Sequence, residues 1–363
     1  MKRPVRVEEL TVEPLSVPTV DPFVIATGQV QATRSVLVRV TLSDEAGRRQ
    51  QGLGEGACLP PVTREDQPDA LAAVQRAAPK LVGQTFNDLA QLVTALKLQL
   101  ESTPVARAGI EMAVLDGWAR LDGVPLWRWL GGGGVPPALV TDMTLPILPP
   151  ARMVELARQW RALGFTAFKV KVGKSIDADL SVLEQLVKAV SGVTWRPDAN
   201  GGLSVEEALT YAKAAARLGA RLECFEQPCR TTEELAEVAA KLEVPVLADE
   251  SVKTLEEFFA LKDAKAADGV NLKIAKSGGL MDAFFIGAAA RAHGMSRMVG
   301  GMVETRLGMT AAAHLAAALG GVEFCDLDTA WLLAEDPFVG GYLAQGPRYT
   351  LPDSPGLGVA LKG

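Results

Sequence analysis

The stretch AFKVKVGK (residues 167–174) places Lys169 and Lys171 two positions apart in a short apolar run. In an extended strand side chains alternate, so both ammonium groups leave by the same side. A half-exposed strand with a solvated face is one reading of these residues, and the flanking chain supplies another. ARMVELARQWRALG (151–164) precedes the run and LSVLEQLVKAV (180–190) follows it, both with apolar residues at helical spacing. The alternation extends outward, from TDMTLPI (141–147) upstream to VEFCDLD (322–328) downstream, giving eight strand candidates separated by seven helices. Such spacing predicts parallel strands joined by crossover helices. Eight strands fit a closed barrel, although an open doubly wound sheet produces the same local pattern.

The preceding residues have a different rhythm. VLVRVTL (36–42) alternates like a strand, while LAAVQRAAPKLVG (71–83) and RAGIEMAVLDGWARLDG (107–123) are helical in spacing. This predicts an α+β domain over 1–125 and a barrel domain over 126–335, with the tail 336–363 returning to the first domain. LGGGGVPP (130–137) lacks the spacing of a phosphate-binding loop and reads as a connector. The 363 residues suffice for a large barrel or two domains, with 48% hydrophobic and 22% charged residues. A net charge of −6 leaves no electrostatic footprint for nucleic acid. No run approaches the ~20 apolar residues of a membrane span, and the N-terminus has no apolar signal core. Cys58, Cys224, Cys229 and Cys325 are scattered and read as reduced thiols, so a cytoplasmic location is expected.

Charge falls late in one barrel strand after another. Lys169 and Lys171 end the second, Asp198 and Asn200 the third, Glu226 the fourth, and Asp249 with Glu250 the fifth. Lys273 lies in the sixth, Glu304 ends the seventh, and Asp326 and Asp328 end the eighth. In such barrels the C-terminal strand ends carry the active site. Asp198, Glu226 and Asp249 would converge there, which is costly unless a cation compensates. An all-oxygen set favours a hard ion, Mg²⁺. Glu250 should point away from Asp249 along an extended strand and act from behind, with Asn200. The lysines of the second and sixth strands would then flank a metal-held substrate. An ordinary lysine, with a pKa of ~10.4, is a poor base at neutral pH. Lys169 is expected to lower the pKa of Lys171 and to bind an anionic oxygen.

KVK (169–171), DAN (198–200), EQP (226–228), ADES (248–251) and NLKIAKSGG (271–279) together resemble the muconate-lactonising subgroup of the enolase superfamily across nearly the whole chain. The resemblance implies an α/β fold, a (β/α)7β modified TIM barrel under an α+β cap. It implies Mg²⁺ on Asp198, Glu226 and Asp249, and acid–base work by Lys171 and Lys273. A lysine or histidine base with Mg²⁺ stabilising an enediolate is a known pattern of that superfamily. Its acid-sugar dehydratases use a strand-end histidine, but His293 and His314 both lie in helical segments.

CDLDTAWLL (325–333) discriminates among the branches. Its D-x-D is similar to that of the dipeptide epimerases, where the pair holds a substrate α-ammonium. Asp326 and Asp328 can face one cavity and call for a cationic ligand group, unless they only cap a turn. The resemblance implies 1,1-proton transfer at the C-terminal residue of an L-Ala-Xaa dipeptide, with Lys171 serving the L form, Lys273 the D form, and Glu304 also lining the substrate site. Ala-Glu epimerases use a basic cap-loop residue. The loop VDPFVIATGQ (20–29) has none, which favours an apolar or small Xaa, although Arg64 in EGACLPPVTRED (55–66) could supply the charge. An N-succinylamino acid racemase or cycloisomerase would need the same lysines and metal but not the D-x-D. A non-catalytic peptide-binding barrel would be expected to have lost one of them. Barrels of this kind often associate, so a homo-oligomer is expected.

Overall fold

A computed structural model of the chain describes residues 3–134, 136 and 138–363. The first domain opens with β1 (Val5–Leu15), the hairpin β2 (Pro18–Ile25) and β3 (Gly28–Ala32), then β4 (Arg34–Asp44) and β5 (Arg49–Cys58). Next come α1 (Gln67–Leu81), β6 (Thr85–Phe86), α2 (Leu89–Leu100) and α3 (Pro104–Asp122). The antiparallel sheet runs β5-β4-β1-β6.

Helix α3 lies unusually close to β4 and β5. Val36, Val38 and Val40 on β4 pair with Gly56, Gly54 and Gly52 on β5. Paired residues share a face, so a valine row lies beside a row without side chains. Along α3, Val105, Gly109, Ala113 and Gly117 recur every four residues and fill that groove with backbone. A Cβ on Gly54 would sit 2.1 Å from the carbonyl oxygen of Gly109, and one on Gly52 would sit 2.0 Å from that of Ala113.

The connection α4 (Leu126–Trp129) and β7 (Leu139–Val140) lead into the barrel. The glycine-rich connector expected at 130–137 extends partly beyond the described residues, at 135 and 137. The barrel strands are β8 (Met143–Leu145), β9 (Ala167–Lys171), β10 (Thr194–Asp198), β11 (Phe225–Glu226), β12 (Val246–Ala248), β13 (Gly269–Lys273), β14 (Ser296–Gly300) and β15 (Phe324–Cys325). They follow one another in sheet order, all parallel. Thr141 bridges Cys325 and the amide of Asp142 donates to its carbonyl at 3.1 Å, closing the ring. The open-sheet alternative is thereby removed.

The crossovers are α5 (Pro150–Ala162), α6 (Ile176–Ala189), α7 (Val205–Arg217), α8 (Thr232–Ala239), α9 (Leu255–Asp263), then α10 (Ile274–Ser277) with α11 (Leu280–Ala292), and α12 (Arg306–Leu319). Sequence dictates several starts: Ser204 with Glu207, Thr231 with Glu234, and Thr254 with Glu257 form reciprocal capping boxes on α7, α8 and α9. The short α10, begun directly after Lys273, is not foreseen by the periodicity, which sees one helix there.

After Asp328 there is no eighth helix, only a 3-10 turn at Thr329–Leu332 and four short strands. These are β16 (Phe338–Gly340), β17 (Leu343–Gln345), β18 (Arg348–Thr350) and β19 (Val359–Leu361). The β17–β18 pair extends from β7. Near the chain end, Leu357 N donates to Asp116 of α3 at 2.6 Å and Arg120 to the Val359 carbonyl at 2.7 Å. All four cysteines are free and buried. His314 is buried on α12, where its Nδ1 accepts the amide of Trp127 at 3.0 Å, and burial lowers its pKa to about 3. His293 caps the end of α11 and meets Phe259 edge-on. No helix among the described residues is long and apolar enough to cross a membrane.

Gly54→Ala should cost about 3 kcal/mol or more through overpacking against α3, seen as a Tm lowered by about 5 °C or more. Gly133→Ala, where a Cβ would meet nothing within 4 Å, serves as control and should leave Tm unchanged. Equal melting temperatures for all three proteins would refute the close-packing account.

Candidate active site

The barrel brings together most of the charges singled out in the sequence. Asp198, Glu226 and Lys171 share one level, because Lys171 pairs with Asp198 and Asp198 with Glu226 across β9, β10 and β11. Lys273 ends β13, four strands from β9 in an eight-strand ring, so the two lysines approach from opposite walls. Asp198, Glu226 and Asp249 are wholly buried, as are the flanking lysines within a few per cent.

Each carboxylate has turned to an ammonium. Lys171 Nζ lies 2.5 Å from Asp198, Lys273 Nζ 2.7 Å from Asp249, and Lys169 Nζ 2.6 Å from Glu226 and 2.5 Å from Asp326. Burial works against the charge of Lys169, but Asp326 and Glu226 outweigh it and hold its pKa well above the ordinary lysine value. Lys273 is likewise raised, burial being overcome by Asp249 and Glu226. Lys169 therefore acts on Glu226 and Asp326, a use the sequence reading did not assign to it.

Four nearby residues were not singled out in the sequence. Asn271 donates to Glu226 Oε1 at 2.7 Å and orients it. Lys276, on α10, donates to the Asp249 carbonyl at 2.5 Å and its Oδ1 at 2.7 Å, and burial lowers its pKa. Gln227 accepts the Asp249 amide at 2.8 Å. Phe23, on the hairpin, places its ring centroid 5.9 Å from Lys171 Nζ. Asn271 was within reach of strand alternation, two residues before Lys273. Lys276 was not, since its approach depends on the turn into α10.

Two expectations about orientation change. Strand β12 ends at Ala248, so Asp249 and Glu250 lie on a turn and do not alternate. Glu250 consequently reaches the site side, accepting from Asn200 at 2.9 Å, and Asn200 in turn lies 3.4 Å from Lys171. Burial and then Asp249 push Glu250 up to about 7. Glu304 lies four residues past β14 and accepts the Met302 amide at 2.8 Å. Burial and the neighbouring cap residue Glu55 raise it to about 8. Glu55 itself accepts from Ser35, from the amide and hydroxyl of Thr305, and from the Gly308 amide. It thus ties β5 to the N-terminus of α12, while Glu111 of α3 ties to that of α11 through the Met281 amide at 2.8 Å.

Asp326 and Asp328 both lie buried past β15. Asp328 Oδ2 accepts the Thr144 amide and its Oδ1 has no partner. Burial and then Asp326 raise Asp328 to about 7. The hairpin covering this side carries buried Phe23, Val24 and Ile25, and is latched by Arg152 to Asp21 at 2.7 Å and by Ile147 N to the Val24 carbonyl. Arg64 is exposed and lines a cavity at the cap–barrel seam with Lys253, Lys276 and Ser277.

The sequence-predicted metal set passes a chemical test of fit. All three residues offer oxygen, lie at or just past the ends of consecutive strands and are fully buried. Glu226 Oε2 meets only the Lys169 ammonium, 2.6 Å away, and accepts no aligned hydrogen bond. Among the described residues, the tightest acidic group is another one: Asp142, Asp326 and Asp328 offer oxygens all within 4.8 Å of one another. Lys171, Lys169 and Lys273 draw the first set towards separate ammonium groups, which is why those oxygens are not the closest.

Residues 152–363 match the family model described as enolase C-terminal domain-like, and residues 7–131 the mandelate racemase / muconate lactonizing enzyme N-terminal domain. The chain is 37% identical to an L-Ala-D/L-amino acid epimerase of Populus trichocarpa, over 94% of this chain and 82% of that one. It is similar to the substrate-liganded L-Ala-D/L-Glu epimerase of Bacillus subtilis, with a TM-score of 0.89 and 33% identity over 98% of each chain. It is also similar to a dipeptide epimerase of Enterococcus faecalis V583 complexed with Mg and L-Leu-L-Tyr, with a TM-score of 0.88 and 28% identity over 98% of this chain and 99% of that one. With both domain models matched and the charged strand ends in place, the chain belongs to the mandelate racemase / muconate lactonizing enzyme family of the enolase superfamily.

Proposed function

We propose that the protein is a dipeptide epimerase that moves the α-proton of the C-terminal residue of an L-Ala-Xaa dipeptide. The observation that carries this is the joint placement of Lys171 and Lys273 on opposite walls with buried Asp326 and Asp328 at the end of β15. Two amines on opposite faces of one carbon can remove and return a proton with inversion. A carboxylate with an unsatisfied buried oxygen, Asp328, suits a substrate ammonium. A racemase of N-succinylamino acids would bring an anion to that place, where it meets like charge.

In this reading Asp198, Glu226 and Asp249 hold Mg²⁺, with Asn271 and Gln227 fixing Glu226 and Asp249. When bound, the ion would supply positive charge to the substrate carboxylate. Lys169, beside Glu226, adds a second positive charge where negative charge grows as the proton leaves. Lys171 takes the proton from the L form and Lys273 from the D form. Asn200, held by Glu250, positions Lys171. Glu304 lines the substrate site close to the cap. The apolar hairpin at Phe23, Val24 and Ile25 lies above Lys171 and excludes water, which favours an apolar or small Xaa. One relative described as an L-Ala-D/L-Glu epimerase and another complexed with L-Leu-L-Tyr bracket that choice.

A library of L-Ala-L-Xaa dipeptides in D₂O with Mg²⁺ should gain one deuteron at Xaa and epimerise, with apolar members fastest. Lys171→Ala and Lys273→Ala should each lower epimerisation by about 100-fold or more. Lys273→Ala should still exchange the α-proton of the L form, whereas Lys171→Ala should not. Exchange on N-succinylamino acids alone would transfer the assignment to a racemase, and persistent epimerisation in either variant would exclude the two-base scheme.

Mg²⁺ at about 100 times its Kd should add roughly 2.7 kcal/mol of stability, read as a Tm several degrees higher. Glu226→Gln should remove that rise. A rise of the same size in the variant would mean the ion binds elsewhere.

A further inference from the structure

The acidic group formed by Asp142, Asp326 and Asp328 has one member that neither the D-x-D spacing nor the strand-end pattern singles out. Asp142 stands before β8, wholly buried, and its carboxylate belongs to the same tight cluster as the pair after β15. Its Oδ2 accepts from Arg196 Nη1 at 2.8 Å, while its Oδ1 has no partner. Arg196 is held in turn by Glu223 at 2.7 Å and by the Cys325 carbonyl at 3.1 Å.

The charges in this cluster do not balance. Three carboxylates face two buried cations, Lys169 on Asp326 and Arg196 on Asp142, and both cations are shared with a further glutamate, Glu226 or Glu223. Asp328 is met by Thr144, whose amide donates to its Oδ2, and pairs with no cation among the described residues. Two oxygens, Asp142 Oδ1 and Asp328 Oδ1, are left without a partner inside the protein. Unsatisfied buried acceptors beside surplus negative charge define a place for a cation that carries its own N–H donors.

We infer that Asp142 is the third carboxylate of the ammonium site, so that the site is built for a primary α-ammonium rather than for positive charge alone. This rests on the proposed dipeptide reading and narrows its substrate class. A primary ammonium has three N–H donors, one for each carboxylate of the cluster. An N-methylated or N-terminal proline peptide keeps the charge but lacks a donor, and leaves one buried acceptor empty. Arg196 is the positioning residue that turns Oδ2 of Asp142 away and leaves Oδ1 free.

The test compares L-Ala-L-Leu with N-methyl-L-Ala-L-Leu by calorimetric titration in Mg²⁺. Wild type should bind the primary amine about tenfold tighter or more. In Asp142→Asn the single amide oxygen is claimed by Arg196, so an NH₂ faces the ligand. That variant should bind L-Ala-L-Leu more weakly and distinguish the two ligands by less than about twofold. Asp142→Leu combined with Arg196→Met removes both members of the buried ion pair and is the better-tolerated change should the single variant not fold. It should show the same loss of preference. A folded variant that keeps the wild-type preference overturns the role of Asp142, and leaves the epimerase reading standing if wild type exchanges its α-proton. Wild type with the expected preference but no α-proton exchange overturns the epimerase reading and leaves the ammonium site standing. Wild type that binds both ligands equally, or neither, removes the site altogether.

Discussion

Carboxylates buried in the barrel mouth must be matched by positive charge, and that requirement shapes everything around them. A lone buried carboxylate costs several kcal/mol, yet Asp142, Asp198, Glu226, Asp249, Asp326 and Asp328 are all removed from solvent within one barrel. Lys169, Lys171, Lys273, Lys276 and Arg196 are inserted among them. Most of these side chains lie on strands or at strand ends, so the barrel's own geometry sets their spacing. Where the match is incomplete, Asp142 Oδ1 and Asp328 Oδ1 are left without a hydrogen-bond partner, at the place the proposed reading gives to a substrate ammonium. Structural stability alone would have selected apolar residues there, since an apolar replacement of a buried ion pair is often neutral or stabilising.

The cap serves this arrangement by closing it. Its attachment relies on carboxylates that reach across the seam to helix N-termini, Glu55 to α12 and Glu111 to α11. These bonds use free amides that every helix start presents, and the helix dipole favours the negative charge. The glycine stripe of β5 against α3 gives the cap a thin, stiff layer from which Glu55 projects towards the barrel. The β2–β3 hairpin is fastened separately, by Arg152 and Asp21 and by a backbone bond from Ile147, just past β8, to Val24. Its apolar tip lies over Lys171 and lowers the dielectric there, which strengthens every charge interaction beneath it.

Much of the site could be read from the chain because strand alternation is a strict rule. Lys169 and Lys171, Asp198, Glu226 and Lys273 occupy strand positions whose inward direction follows from period two, and the structure brings them into one cluster. Arg196 obeyed the same rule, two residues before Asp198, and could have been found by it. Glu250 went the other way because β12 stops before it, and strand ends are not set by alternation. Asp142 lies near the start of the stretch 141–147 read as a strand, so a search of strand ends passed it over, and the structure leaves it just before β8. Lys276 depends on a four-residue helix too short to register as a period.

The sequence alone determined the repeated strand–helix order, the identity of the charged strand ends, and the all-oxygen character of the donors. These follow from local rules, alternation, helical spacing and side-chain chemistry, which need no knowledge of distant contacts. Tertiary structure decided which charges neutralise which. Lys169 lies on Glu226 and Asp326, Lys276 comes round to Asp249, and Asp142 joins a pair nearly two hundred residues away. Closure of the ring is the physical reason: joining β8 to β15 through Thr141 and Cys325 makes neighbours of the first and last strands. No local pattern in the chain encodes that contact.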